Sequence, residues 1–305
     1  MATLLDLKQR IRAVENIRKI TKAMQLVAAA KLNRAQTRAH ALRPFAQELD
    51  QILGGLVGGG IEDSADATVE FTFVKGEPPV RTTLGKLFEQ NEVKKPGIVL
   101  VTSDRGLSGA FNANLIRAAN NFIREHGDKE CKLITIGKKG YTFFRRRATP
   151  IIYHKIGVSD RLELDEIREI TGRLIELYVK GEVDALYFIS ARSIRAAQYR
   201  ITTQKFLSIP PIESTAEATD DNYIIEPGRD ELFADLIPLY ATSLVISVLA
   251  DSFASAYGAQ MAAMQQATKN AEEKLNDLVI ERNRLRQATI TKELAEIVGG
   301  AEVLK

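Results

Sequence analysis

The two ends of the chain carry apolar residues at helical spacing, and the stretch between them does not. From Leu4 to Leu42 there is no Pro and no Gly, and apolar residues fall at Leu4, Leu7, Ile11, Val14, Ile17, Ile20, Met24 and Val27. Steps of three and four put them on one helical stripe. The heptad spacing slips once, between Val14 and Ile17, which predicts local overwinding there. Pro44 interrupts the pattern. Phe45, Leu49, Ile52 and Leu53 resume it, and glycines at 54, 55, 58, 59 and 60 end it. From Asp230 to Val298 the only Pro is Pro238 and the only Gly is Gly258. Apolar residues recur there at Met264, Ala267, Ala271, Leu275, Leu278, Leu285, Leu294 and Ile297, and Gly299-Gly300 reads as a stop signal.

Helices of this length, roughly 75–100 Å at 1.5 Å per residue, cannot bury their stripes against a middle domain of ordinary size. The economical solution is that they bury them against each other, as an antiparallel coiled coil. The stripes are rich in Ala (Ala28 to Ala30, Ala35, Ala39, Ala254, Ala256, Ala259). Small side chains make a thin rod with little buried area, so part of its length is expected to be wrapped by a partner.

The middle alternates strands and helices. Strands are predicted at Gly97–Asp104, Lys132–Gly137, Pro150–His154 and Asp184–Ser190, and helices at Asn112–His126, Tyr141–Arg147 and Asp165–Val179. Gln198–Ile209 reads as a fifth strand, with an antiparallel edge position as one option. This alternation predicts an open, mostly parallel sheet. The chain therefore reads as α plus α/β: a long antiparallel two-helix coiled coil and a central Rossmann-like domain. The expected division is an N-terminal helix over 1–57, a linker or insertion over 58–95, the α/β domain over 96–228 and the C-terminal helix over 229–305.

Composition narrows the classes of function. Of 305 residues, 42 are Lys or Arg and 39 are Asp or Glu, a net charge of +3 that argues against a protein built mainly to coat nucleic acid. Cys131 stands alone, which excludes an intrachain disulfide and a zinc ribbon; it reads as an inert, half-buried thiol. His40, His126 and His154 are far apart, so a His-rich metal site is not expected. No run approaches the length needed to span a bilayer, and Met1 to Lys8 has no signal-peptide core. Charge is uneven: residues 1–43 hold ten Lys or Arg against two acids, and residues 205–235 hold eight acids against two bases. The acidic stretch lacks EF-hand spacing and reads as an exposed loop at Ser214–Asn222.

The strongest local motif is Ser103-Asp104-Arg105-Gly106-Leu107-Ser108-Gly109-Ala110-Phe111-Asn112, between a strand and a helix. It fails the Walker pattern, the GxGxxG pattern and the hydrolase elbow. Its plain reading is a tight turn capped by Ser108 or Asn112.

Several blocks carry a family resemblance. Ile20-Thr21-Lys22-Ala23-Met24-Gln25-Leu26-Val27-Ala28-Ala29-Ala30-Lys31-Leu32, the Ser103–Asn112 turn, and Asn283-Arg284-Leu285-Arg286-Gln287-Ala288-Thr289-Ile290-Thr291-Lys292-Glu293-Leu294 with Glu296 to Ala301 resemble the γ subunit of F-type ATP synthases. Met264–Asn270 and Tyr223 to Pro227 fit as well, so the resemblance runs over nearly the whole chain.

The resemblance implies a central-stalk rotor that transmits torque from the c-ring to the α3β3 hexamer and regulates ATPase activity and ion flow. It implies no catalytic residue, no cofactor and no metal. The implied partners are α, β, ε and the c-ring, with no nucleic acid. Membrane association runs through the c-ring only, at the cytoplasmic face of a bacterial plasma membrane. By resemblance, Met24, Arg286, Gln287 and Thr291 contact the β catch loops and hexamer, and Tyr223 and Glu226 contact the c-ring. The family's usual Ser-Glu-His-Ala-Ala-Arg-Met is here Ser255-Ala256-Tyr257-Gly258-Ala259-Gln260-Met261, so the Arg of that block is replaced by Gln260. Two rivals remain at the level of sequence: a nucleotide-binding α/β enzyme using the Ser103–Asn112 turn, and a coiled-coil adaptor using the basic first helix.

Overall fold

The computed structural model describes residues 3–58, 64–72, 78–90, 92–127, 129–195, 197–209, 226 and 228–303. The chain divides into two compact units, one of Met1–Ala29 with Gln260–Lys305 and one of Ala30–Ala259. Both are threaded by the terminal helices α1 (Leu4–Gly58) and α6 (Arg229–Val303).

In the first unit α1 and α6 pair side by side. Arg18 Nη1 lies 3.6 Å from Glu272 Oε1, and the hydroxyls of Thr21 and Thr268 are in hydrogen-bond contact at 2.9 Å. Residue numbers rise on one helix as they fall on the other, so the pairing is antiparallel. The covered positions of α1 run Leu4, Leu7, Ile11, Val14, Arg18, Thr21, Gln25, Ala28, and those of α6 run Met264, Thr268, Ala271, Leu275, Leu278, Arg282, Leu285. Both series alternate steps of three and four, which is the 3.5-residue period of a left-handed coiled coil.

The expected slip after Val14 therefore does not occur. Ile17, Ile20 and Val27, placed in the stripe by their apolar character, are 52%, 59% and 58% exposed. The seam keeps its register by accepting Arg18, Thr21 and Gln25 instead. Thr21 is accommodated by Thr268 and the Arg18 Nη1 end by Glu272 on α6, as a covered polar group requires, while Arg18 Nε is buried without a partner among the described residues.

The helix ends also lie beyond their expected places. α1 continues through Pro44 without interruption, and α6 continues through Pro238 and through Gly299-Gly300 to Val303. An interior proline removes one backbone donor and crowds the carbonyl four residues back, at about 3 kcal/mol, and each glycine costs about 1 kcal/mol, so the rest of each long helix outweighs them. At Pro238 the carbonyl left without its donor is that of Ala234, while Thr242 Oγ1 bonds the Pro238 carbonyl itself at 2.8 Å.

The second unit is built on a five-stranded sheet: β3 (Pro96–Val101), β4 (Lys132–Ile136), β5 (Ile151–Lys155), β6 (Ala185–Arg195) and β7 (Gln198–Leu207). Its order is β5-β4-β3-β6-β7. The first four are parallel and β7 closes one edge antiparallel to β6. Helices α3 (Phe111–Glu125), α4 (Lys138–Phe144) and α5 (Leu164–Val179) connect the parallel strands. β3 is buried at every position, as a central strand covered on both faces requires.

Alternating β3 residues serve two cores. Val99 and Val101 join α5 and the first part of α6 (Phe233, Ile237, Ala241, Val245, Leu249). Ile98 and Leu100 join α3 and α4 through Phe111, Leu115, Phe122 and Phe144. The stretch 58–95, read from sequence as a linker or insertion, holds the antiparallel pair β1 (Thr68–Phe71) and β2 (Val80–Thr83), followed by α2 (Leu84–Phe88). Val69, Phe71, Leu84 and Leu87 from it are buried in the first core.

α6 also corrects the expectation about apolar runs. It contains a window with a mean hydropathy of 1.9, long and apolar enough by length and composition to cross a membrane. Phe233, Ile237, Ala241, Val245 and Leu249 of this stretch are buried in the first core, whereas Leu239 is 42% exposed.

Candidate functional site

The C-terminal ends of β3, β4 and β5 form the crevice where an open α/β sheet offers backbone amides to a ligand. Here those amides are already engaged. Asn112 Oδ1 accepts from Ser103 N at 3.0 Å, and its amide nitrogen lies 2.9 Å from Ser103 Oγ and 3.2 Å from Ser108 Oγ. Asn112 thus ties the start of α3 back to the end of β3. The expected cap differs: the N-cap position is Ala110, with no side-chain cap bond. Asp104 accepts from Lys138 N at the first turn of α4, at 2.7 Å, and from Gly157 N after β5, at 3.0 Å. A carboxylate of the chain itself fills the place an anionic ligand would take at that helix start.

The crevice floor is also tight. Thr102 Oγ1 accepts from Gly140 N at 2.9 Å, and a Cβ on Gly137, whose φ is +99°, would stand 2.0 Å from the Thr102 carbonyl oxygen. The turn closes with Leu107 and Gly109 at φ 66° and 57°. Cys131, at the N-terminal end of β4 and so at the far end of that strand from the crevice, is buried rather than half-buried, with Sγ 3.7 Å from the His126 carbonyl.

The residues singled out on the terminal helices are spread out. Arg286, Gln287 and Thr291 are exposed on α6, and Thr291 Oγ1 bonds the Gln287 carbonyl one turn back, at 2.9 Å. Met24 is half-buried beside the seam. The Thr21–Thr268 pairing puts Met24 level with the residues just before Thr268, roughly 30 Å along α6 from Arg286 at 1.5 Å per residue. Met24 therefore neighbours a groove of about 520 Å³ lined by Lys22, Gln25, Gln265, Gln266, Lys269 and Glu272, not the Arg286 group. Glu226 is exposed. Tyr223 and the acidic loop at Ser214–Asn222 lie outside the described residues.

One polar cluster goes unmarked in the sequence. In the second unit, Tyr257 of α6 donates its hydroxyl to Asp160 Oδ2 at 2.6 Å, Lys31 Nζ of α1 lies 3.4 Å from the same oxygen, and Arg38 Nη1 donates to the Asp160 carbonyl at 2.6 Å. The Tyr257 hydroxyl, helped by Lys31 and Arg38, holds the Asp160 carboxyl below its ordinary value. Burial, and then the Asp160 carboxylate, push the Tyr257 phenol well above its own. The only sequence signal for this cluster is Tyr257 standing where the resembled family has His.

The chain combines a long antiparallel helix pair with an α/β sheet whose crevice amides at Ser103, Lys138 and Gly157 are bonded to its own side chains. The ATP synthase family model matches residues 3–304. The ATP synthase gamma chain of Desulfitobacterium hafniense is 37% identical over the full length of both chains, and that of Moorella thermoacetica is 38% identical over the full length of both. The fold matches a chain in the structure of the Euglena gracilis mitochondrial ATP synthase (OSCP/F1/c-ring) with a TM-score of 0.62, covering 99% of this chain and 94% of that one at 14% identity. The chain belongs to the ATP synthase gamma chain family, the non-catalytic rotor of the F1 central stalk.

Proposed function

We propose that this chain turns as the shaft of a bacterial F-type ATP synthase, coupling a c-ring at the membrane to the catalytic α3β3 hexamer. By imposing different contacts at each shaft angle it shifts the affinities of the β sites, and so governs ATPase activity and ion flow. The observation that carries this reading is the coil's outer face. Ile17, Ile20, Leu26 and Val27 are all more than half exposed on a helix whose seam is already filled. A thin rod that leaves four large apolar side chains outside its own seam is completed by a surrounding apolar sleeve, the role of a hexamer bore.

Within this reading, Arg286, Gln287 and Thr291 exchange hydrogen bonds with polar loops of β as the shaft turns, and Met24 acts at a separate level beside the polar groove. Tyr223 and Glu226 face the c-ring, and ε binds the α/β body. The chain is then a peripheral subunit at the cytoplasmic face of the plasma membrane, held there through the c-ring alone.

The test is co-expression with α and β. The isolated chain should lack ATPase activity, should purify with α3β3, and should rotate within the complex during hydrolysis. Truncation of Ile290–Lys305 should weaken coupling or assembly. Stable association with other proteins and none with α or β would overturn the proposal.

A further inference from the structure

Torque has to pass between an α/β body and two helices, and the second unit contains one joint where both helices meet the body at a single residue. Asp160 sits in the loop between β5 and α5. That loop is braced from several sides: Gly157 N donates to Asp104 Oδ2 at 3.0 Å, Ser159 N to Glu166 Oε2 at 3.0 Å, Arg161 N to Ser159 Oγ at 3.2 Å and Leu162 N to the Ser159 carbonyl at 3.1 Å. Through Asp104 it is fastened to the ends of β3 and α4 as well. The loop is thus an extension of the sheet rather than a free tether.

From this arm Asp160 reaches both helices. Its Oδ2 receives Tyr257 from α6 and Lys31 from α1, its carbonyl receives Arg38 about two turns further along α1, and the Lys31 ammonium also stands 5.1 Å from the centre of the Tyr257 ring. Around these bonds lies a cavity of about 60 Å³, lined also by Arg34, Ala35 and Arg161. Close packing does not hold the joint there, so the polar bonds do. The lining carries four cationic side chains and one carboxylate, and no second acid in it can replace Asp160. A second tie fastens α6 nearby: Ser255 Oγ donates to the Ala191 carbonyl of β6 at 3.2 Å, and Ala256 and Ala259 are buried in the core of α3 and α4.

We propose that Asp160, with Tyr257, Lys31 and Arg38, is the clasp that locks both shaft helices to the α/β body against twist, making Asp160 and Tyr257 positioning residues for torque transfer. This rests on the rotor reading above. Removing the clasp leaves catalysis on the hexamer untouched and leaves the coil paired. It loosens the angular link between body and shaft, so its loss appears under load and not in free running.

The experiment uses the assembled complex containing the full chain, immobilised by the hexamer with a bead fixed to the α/β body. The variants are Tyr257→Phe, which removes only a hydroxyl, Asp160→Asn, which keeps an acceptor and the main-chain carbonyl, and Asp160→Ala. Unloaded ATP hydrolysis and copurification with α and β should match the wild type in all three. Angular variance of the bead in the catalytic dwell should rise in Tyr257→Phe and rise further in Asp160→Ala. The latter rise should be the largest of the three yet modest, because the core packing of α6 through Phe233, Ile237, Ala241, Val245 and Leu249 remains. Ion pumping per ATP should fall in the same order, with Asp160→Asn between wild type and Asp160→Ala. Unchanged variance in Tyr257→Phe and Asp160→Ala overturns the clasp. Should Asp160→Ala fail to assemble, Tyr257→Phe decides alone. A wild-type complex that hydrolyses ATP without turning this chain overturns the rotor reading instead.

Discussion

The register of the coil can be tested by asking which isoleucines hold it together. The structure puts Leu278 in the seam at 3% exposed and leaves Ile17 and Ile20 outside it at 52% and 59% exposed. Leu278→Ala removes a buried side chain and leaves a void, a loss of about 2–5 kcal/mol. Ile17 and Ile20 each withdraw only about half of their surface from water. Against about 1.5–3 kcal/mol for a fully buried isoleucine, each replacement by Gln should cost about 0.6–1.4 kcal/mol. Gln is also a better helix former than Ile, which offsets part of that cost. Urea unfolding of the full chain, followed by far-ultraviolet circular dichroism, should therefore move strongly for Leu278→Ala and slightly for Ile17→Gln or Ile20→Gln. Assembly with α3β3 should show the reverse emphasis, with the Ile→Gln variants binding more weakly. A chain as destabilised by Ile20→Gln as by Leu278→Ala would mean that the seam passes through Ile17 and Ile20 after all, and the exposed sleeve-facing surface would be lost with it.

Three further outcomes follow from the body. Gly137→Ala would force a Cβ to 2.0 Å from the Thr102 carbonyl at a φ of +99°, so unfolding experiments should show a loss above about 3 kcal/mol, whereas Gly106→Ala, with its nearest atom 3.7 Å away, should stay within about 1 kcal/mol. Asp104→Ala should release the Lys138 and Gly157 amides, cost about 2 kcal/mol, and speed hydrogen exchange at those two positions; unchanged protection there would refute the plugged-crevice account. Burial pushes the phenols of Tyr153 and Tyr178 up to about 12 from 10. The unfolded chain then gives up these protons first, so stability that is intact below pH 10 should decline as pH rises to about 12. Ionisation of Tyr153 and Tyr178 themselves, followed by residue-resolved NMR, should appear together with loss of helical signal, not before it.

The sequence carried most of the architecture because the determinants were local. β3 is a run of apolar residues ending in a turn motif, and Gln198–Ile209 is a strand with the polar character of a sheet edge. The seam was misread at Arg18 and Thr21 because a search by apolar character skips polar residues whose partners lie about 250 positions away. Nothing in the local sequence announces Thr268 as the neighbour of Thr21. Separations of 97 to 129 positions likewise hide Asp160, an acid in the β5–α5 loop until α1 and α6 arrive beside it. Pro44 and Gly299-Gly300 looked like breaks because propensity was weighed without the rest of the helix. The residues assigned by resemblance, such as Arg286 and Gln287, lie on an open helix surface whose meaning depends on other chains, so their roles come from kinship and not from geometry.

The Asp104 carboxylate has a consequence for the cell. Open α/β sheets commonly bind phosphate-bearing ligands on amides in this crevice. In this chain the amides at Lys138 and Gly157 are spoken for by a permanent tenant. A phosphate-bearing metabolite reaching these two amides would have to displace a carboxylate that the chain itself carries at every level of ATP.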